Sequence, residues 1–196
     1  MPASRTAKKL ETFNAPDRKA WREWLSRNYG DSKGIWLVVR KKNFGESGIS
    51  LEDAVDEAVC FGWIDSRLNV ADEQTFRLLF TPRKLGSIWS RTNKERVEKL
   101  IRQGLMTAAG LEKVEAAKKD GSWNRLDAVE ELRVPKDLGK ALAADKTAQR
   151  NFELFRDSAK KQILWWIESA KTQETRSKRI SKAVTMAAEN RKEPSS

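Results

Sequence analysis

The chain has 196 residues with 39 Lys and Arg against 28 Asp and Glu, a formal charge of +11, one cysteine and no histidine. A single Cys60 excludes an intramolecular disulfide and a cysteine-rich metal site, and the lack of histidine excludes Ser-His, Cys-His and histidine-ligated metal chemistry. Proton transfer is left to Asp, Glu, Lys, Tyr or the thiol, while the positive balance favours anionic partners or simply keeps helix faces solvated.

From the N-terminus, residues 1–12 are polar, cationic and aperiodic, which predicts a flexible tail. The segment MPASRTAKKLETF has no apolar run behind its charge, and no stretch reaches the ~18 apolar residues of a membrane span. Both features predict a soluble, cytoplasmic chain. A first helix is expected to begin at Pro16, to carry Trp21, Trp24, Leu25 and Tyr29 on one face, and to end at Gly30. Ile35 to Val39 reads as a buried strand, and 43–49 as a loop. Ser50 with Asp53 opens a second helix whose core positions are Ala54, Val55, Ala58 and Val59. Trp63 to Leu68 and Thr75 to Phe80 form an antiparallel hairpin that Pro82 ends.

Thr92 with Glu95 is a capping box for a helix with Val97, Leu100 and Ile101 inside, stopped by Gly104. Thr107 caps the next, with Leu111, Val114 and Ala117 at helical spacing until Gly121. Residues 122–133 read as irregular, Val134-Pro135 as a fresh start, and four helices follow at about 136–144, 146–156, 158–170 and 173–190, with a frayed end at 193–196. The fold class is therefore α+β: a small, mainly antiparallel sheet of three or more strands covered by helices, then an all-helical C-terminal subdomain. The expected organisation is a tail at 1–12, an α+β domain at 13–125 and the helical subdomain at 133–192.

Three stretches stand out: EAVCFGWID at 57–65, FTPRKLGSIWSRTNKERVEKLIRQGLMTAAGLEKVEAAKKDGSW at 80–123, and VPKDLGKAL at 134–142 with SAKTQETRSKRI at 169–180. In this order, from about Trp36 to Met186, they resemble the bacterial YdeI/OmpD-associated, or bacteriocin-protection, family. Ser66 and Leu79 depart from it, since the family tends to have glycine and arginine there. The resemblance implies a non-catalytic stress-protection protein with no cofactor.

The residues themselves offer two candidate surfaces. The first gathers Lys41, Lys42, Trp63, Asp65, Arg67, Arg83, Trp89, Ser90 and Asn93: the hairpin would bring Trp63 and Asp65 near Pro82 and Arg83, pair Asp65 with Arg83, and let Trp63 and Trp89 wall a groove for a small molecule or peptide. Aromatic packing around a structural ion pair accounts for the same residues. The second is Lys171, Arg176, Lys178, Arg179 and Lys182, in a stretch (158–192) with nine basic and three acidic residues beside Trp165-Trp166. That combination suits nucleic acid or anionic lipid, and equally an ordinary solvated helix with Glu174 and Lys178 paired. A third reading, an enzyme with Asp65 or Glu57 as base, finds no activated nucleophile beside either. Cys60, near a helix C-terminus on an apolar side, is expected to be a packed, inert thiol.

Overall fold

A computed structural model of the chain describes residues 10–42 and 48–192. Residues 1–9 of the expected tail at 1–12, most of the loop at 43–49 and the frayed end at 193–196 lie outside the described residues. Two compact units divide between Trp123 and Asn124.

In the first unit Thr12–Phe13 form a short strand, β1, parallel to β2 (Ile35–Arg40) in the register Thr12 to Trp36 and Phe13 to Leu37. Helix α1 spans Arg18–Asn28 and is capped by Asp17, whose carboxylate accepts from the Ala20 amide at 2.8 Å. The cap displaces the predicted start at Pro16, because a side-chain acceptor satisfies an orphan helix amide and proline offers none. Trp21 and Leu25 are buried, Trp24 half-buried and Tyr29 exposed.

Along β2 every second residue (Ile35, Leu37, Val39) is buried, the period of a strand with one covered face. Helix α2, Leu51–Cys60, starts at Ser50, whose hydroxyl accepts from the Asp53 amide at 3.1 Å and donates to its carboxylate at 2.7 Å. It is buried from Ala54 to Cys60, acids included. The hairpin β3 (Trp63–Val70) and β4 (Thr75–Pro82) turns through Asp72, which takes the amides of Gln74 and Thr75 and the Thr75 hydroxyl, as an Asx turn should. The sheet order is β1-β2-β4-β3, with both pairs involving β4 antiparallel.

Helix α3, Arg91–Arg102, is capped by Ser90 rather than Thr92: the Ser90 hydroxyl accepts from the Asn93 amide. Val97 and Leu100 are buried, while Ile101 is nearly half exposed. Helix α4, Ala108–Lys119, begins at the predicted Thr107 cap and buries Val114 and Ala117 but not Leu111. The core is aromatic: Trp21 and Trp24 stack at 5.3 Å, and Trp24 meets Trp63 edge-on at 5.9 Å. Their indoles are satisfied at depth, Trp21 donating to the Ala54 carbonyl and Trp63 to that of Tyr29, the usual requirement for a buried Trp.

The second unit is helical: α5 (Asp127–Glu130), α6 (Lys136–Ala143), α7 (Lys146–Leu154), α8 (Asp157–Glu168) and α9 (Gln173–Ala188). One turn, α5, interrupts the stretch expected to be irregular. Leu138, Ala148, Phe152, Ile163, Leu164, Ile167 and Ala183 form its core. Among the described residues no helix is long and apolar enough to cross a membrane, and no group of metal-ligating side chains forms.

Candidate functional site

The hairpin register places Trp63 opposite Pro82 and Asp65 opposite Phe80, as the sequence suggests. Arg83 lies one residue beyond, its amide bonded to the Gly62 carbonyl at 2.9 Å. From there its side chain does not reach the Asp65 carboxylate. It turns instead under the chain that follows, donating from Nη1 to the Ile88 carbonyl at 3.1 Å and lying 3.6 Å over the Trp89 ring. Arg83 is 2% exposed, and among the described residues neither Nε nor Nη2 has a hydrogen-bond partner. Burial pulls this guanidinium down to about 10, with the Asp65 charge opposing the shift from a distance.

The expected groove is thereby redrawn. Trp63 and Trp89 are each 1% exposed, so neither forms an open wall. Trp63 sits in the core against Trp24, because a hairpin strand leaving a buried helix keeps its first residue inside. Trp89 instead carries Arg83 over its ring and meets Trp123, whose ring is tilted by 46° with its centroid 5.0 Å away. A small cleft of about 10 Å³ remains there, lined by Arg83, the strap Lys84 to Ser87, Trp89, Lys113, Asp120 and Ser122, enough for one water-sized atom. Asp120 holds the strap by accepting from the Gly86 amide at 3.0 Å and takes the Ser122 amide at 2.9 Å with its other oxygen. Hydrogen bonds from Ser122 first, then Gly86, keep its carboxyl below the usual range.

The remaining predicted residues scatter. Lys41 donates to the Asp72 and Glu73 carbonyls at the hairpin turn. Lys42 and Arg67 are exposed, Ser90 is spent on its cap, and Asn93 is half-buried in the first turn of α3. Of the nine, Arg83 and Trp89 share the cleft.

Sequence reasoning missed a second polar centre on α2. Asp56 (2% exposed) meets Arg96 and Lys99, while Glu57 (1% exposed) takes Arg18 Nε on Oε1 at 2.5 Å and Arg22 Nη1 on Oε2 at 2.6 Å. With one guanidinium on each oxygen, Glu57 is held as the common acceptor of two ion pairs. The available signal was the i, i+4 pair Arg18 and Arg22 on the first helix, matched to an acid inside an apolar run. Cys60 is fully buried; burial, then the Glu57 charge, pushes its thiol up to about 11, so it is not a ready nucleophile.

In the second unit, Arg176 is committed to Asp137 through Nε and Nη2 (2.6 and 3.1 Å) and to Glu168 at 3.1 Å. Lys178 pairs with Glu174 at 2.6 Å, as expected. Arg179 donates to the Trp166 carbonyl and the Ser169 hydroxyl, and its guanidinium stands over the Trp166 ring beside Lys182. Lys171 is exposed. Thus α9 places a basic face next to an aromatic ring, with two of its charges already balanced within the unit.

The Arg176 pair makes a pH prediction. Bonding to Arg176, ahead of the opposing effect of burial, holds the Asp137 carboxyl below its usual range. A carboxylate depressed on folding stabilises above its unfolded value near 4 and loses that contribution as pH falls through its folded value. Asp137 is 40% exposed, so solvent screening limits the effect. Asp137→Asn is expected to cost about 0.5–1 kcal/mol at pH 7, with the difference from wild type narrowing between pH 5 and pH 3 in urea titrations.

Comparison with known proteins divides the chain at a similar place. Residues 13–113 match the family described as Domain of unknown function (DUF8412), and residues 131–190 match the one described as Bacteriocin-protection, YdeI or OmpD-Associated. The EAVCFGWID and FTPR motifs thus fall in the first match, while VPKDLGKAL and SAKTQETRSKRI fall in the second. No curated protein and no solved structure matches the chain. A match over more than half of its length makes the chain a member of the DUF8412 family, and it carries a bacteriocin-protection, YdeI or OmpD-associated domain in its helical C-terminal part.

Proposed function

We propose that this is a non-catalytic bacterial protection protein whose α+β unit captures a small ligand at the Arg83 cleft. The observation that carries the reading is Arg83 itself: a buried guanidinium with two unpartnered donors and no ion-paired carboxylate. Burying a charge without a partner costs several kcal/mol, and a fold keeps such a residue where the charge meets a ligand. Architecture alone accounts poorly for it, since this chain gives its buried carboxylates Asp56 and Glu57 partners of opposite charge.

The test is tryptophan fluorescence of the whole chain, titrated with a panel of metabolites, short peptides and mixed DNA and RNA at low and high salt. Trp89 lies in the cleft and Trp166 beside the basic helix, so both candidate surfaces report. One small compound is expected to give a saturable change that survives salt and is lost in Arg83→Met. That variant should melt within about 3 °C of wild type, since losing the Ile88 bond is offset by removing an uncompensated charge. A change seen only with nucleic acid and abolished by salt would move the function to α9 and sink this reading.

A further inference from the structure

We infer that the Arg83 cleft is a receptor for an oxyanion that presents two oxygens side by side, a carboxylate or phosphate group of a small molecule. The inference rests on the ligand-capture reading above and names the ligand's chemistry.

The guanidinium's own geometry selects such a ligand. Arg83 spends Nη1 on the Ile88 carbonyl, and the two donors without partners are Nε and Nη2. These two N–H groups lie parallel on one edge of the plane, the fork that accepts a carboxylate or phosphate through two parallel hydrogen bonds. The same chain shows this edge in use: Arg176 binds both oxygens of Asp137 through its own Nε and Nη2. At Arg83 the protein supplies the edge and no acid to meet it. The Trp89 ring 3.6 Å below fixes the guanidinium plane, so little rotamer freedom is lost on binding. Lys84 and Lys113 line the same cleft and add positive charge, against the single carboxylate of Asp120.

Asp120 also explains how so small a cleft admits a ligand. A cleft of about 10 Å³ is too small for a whole carboxylate, so the strap Lys84 to Ser87 must lift. Its tie across the cleft is the exposed bond from the Gly86 amide to Asp120 Oδ2, and Gly86 itself sits at φ +72° with nothing within 4 Å of its Cβ position. An incoming anion takes the Arg83 edge while the strap opens and the Asp120 charge moves away from it. Asp120 is thus a latch, with a charge of the same sign as the ligand.

The experiment follows the Arg83 Nε–H cross-peak in ¹H–¹⁵N spectra of the full chain, assigned by its loss in Arg83→Lys. Acetate, benzoate and inorganic phosphate are titrated into the tens of millimolar beside the neutral acetamide and benzamide. The expected result is a saturable shift with at least one anion and none with the amides, the responding anion telling a carboxylate source from a phosphate one. Arg83→Lys keeps the charge but loses the fork, and should weaken binding, followed in that variant on the Trp89 indole and Gly86 amide cross-peaks, by about tenfold at an unchanged melting temperature. Asp120→Asn, which removes the repulsive charge, should tighten it by about threefold. Three results would overturn the inference: amides binding as well as the anions, an affinity indifferent to Arg83→Lys, or a cross-peak that no anion moves. If a neutral panel compound still binds with Arg83-dependence, ligand capture stands and the oxyanion assignment alone falls.

Discussion

Replacing Arg18 and Arg22 together by methionine is expected to lower the melting temperature of the α+β unit by about 10 °C, and adding Glu57→Met is expected to recover most of that loss. Glu57 sits at 1% exposure with one guanidinium on each oxygen, whereas Arg18 and Arg22 have side chains more than a third exposed. Removing the two cations leaves an uncompensated carboxylate in the core, at a cost of about 3–5 kcal/mol. Each kcal/mol is worth roughly 2–4 °C at this chain length. Removing the carboxylate alone is different, because both arginines can swing into water while Arg18 keeps Asp53 and Arg22 keeps the Leu105 carbonyl. The single Glu57→Met variant should therefore lose far less than the double arginine variant. The measurement is a thermodynamic cycle over the single, double and triple variants by thermal melts. Equal losses for Glu57→Met and for the arginine pair would show that packing around α2, and not charge compensation, sets its stability.

Those residues also show what was legible in the chain and what was not. Caps whose partners lie three residues away were readable: Ser50 and Thr107 do what their neighbours predict. Two helix starts shift by one or two residues: Ser90 caps α3 where Thr92 is expected to, and Asp17 caps α1 where Pro16 is expected as the first helical residue. The choice depends on where the incoming backbone leaves the extended conformation, which tertiary contacts at Trp89 and Ala15 decide. The two-residue strand β1 has no period to detect. The Asp56 and Glu57 pairs join residues 35–43 positions apart, so an acid inside an apolar run becomes readable as buried only together with distant cations such as Arg18 and Arg22.

The candidate site divides along the same line. The hairpin register, set by strand patterning and the Asp72 turn, was predictable and brought Trp63 to Pro82. The direction of the long Arg83 side chain was not, because several rotatable bonds separate its guanidinium from the backbone. It chose the Trp89 face and the Ile88 carbonyl over Asp65. The α9 cations read from sequence as a basic face, but the use of Arg176 as partner for Asp137 and Glu168 depends on how the helices fold back.

Two glycine-to-alanine changes, both inside helices, should move stability in opposite directions. Gly110→Ala is expected to destabilise the first unit by about 3 kcal/mol, while Gly139→Ala stabilises the second by about 0.5–1 kcal/mol. Intrinsic propensity favours alanine over glycine at both positions by up to about 1 kcal/mol, so the surroundings decide the sign. At Gly139 the nearest atom to an added Cβ is Val134 Cγ1 at 3.9 Å, an ordinary contact. At Gly110 the Cβ would stand 2.2 Å from the Cys60 carbonyl oxygen and 2.8 Å from its carbon. That backbone cannot yield locally, because the same carbonyl accepts both the amide and the hydroxyl of Thr107, the cap of α4. Relief requires α4 to move off the end of α2, which weakens the cap and loosens the cover over Cys60. The thiol then provides an independent readout: fully buried and pushed up to about 11, it should react slowly with a disulfide reagent in the native protein. Gly110→Ala should accelerate that reaction at pH 8 alongside its lower melting temperature, and Gly139→Ala should leave the rate unchanged. A Gly110→Ala protein that melts like wild type with a protected thiol would mean that α2 and α4 can separate without cost, and that the closeness of their backbones contributes nothing to the fold.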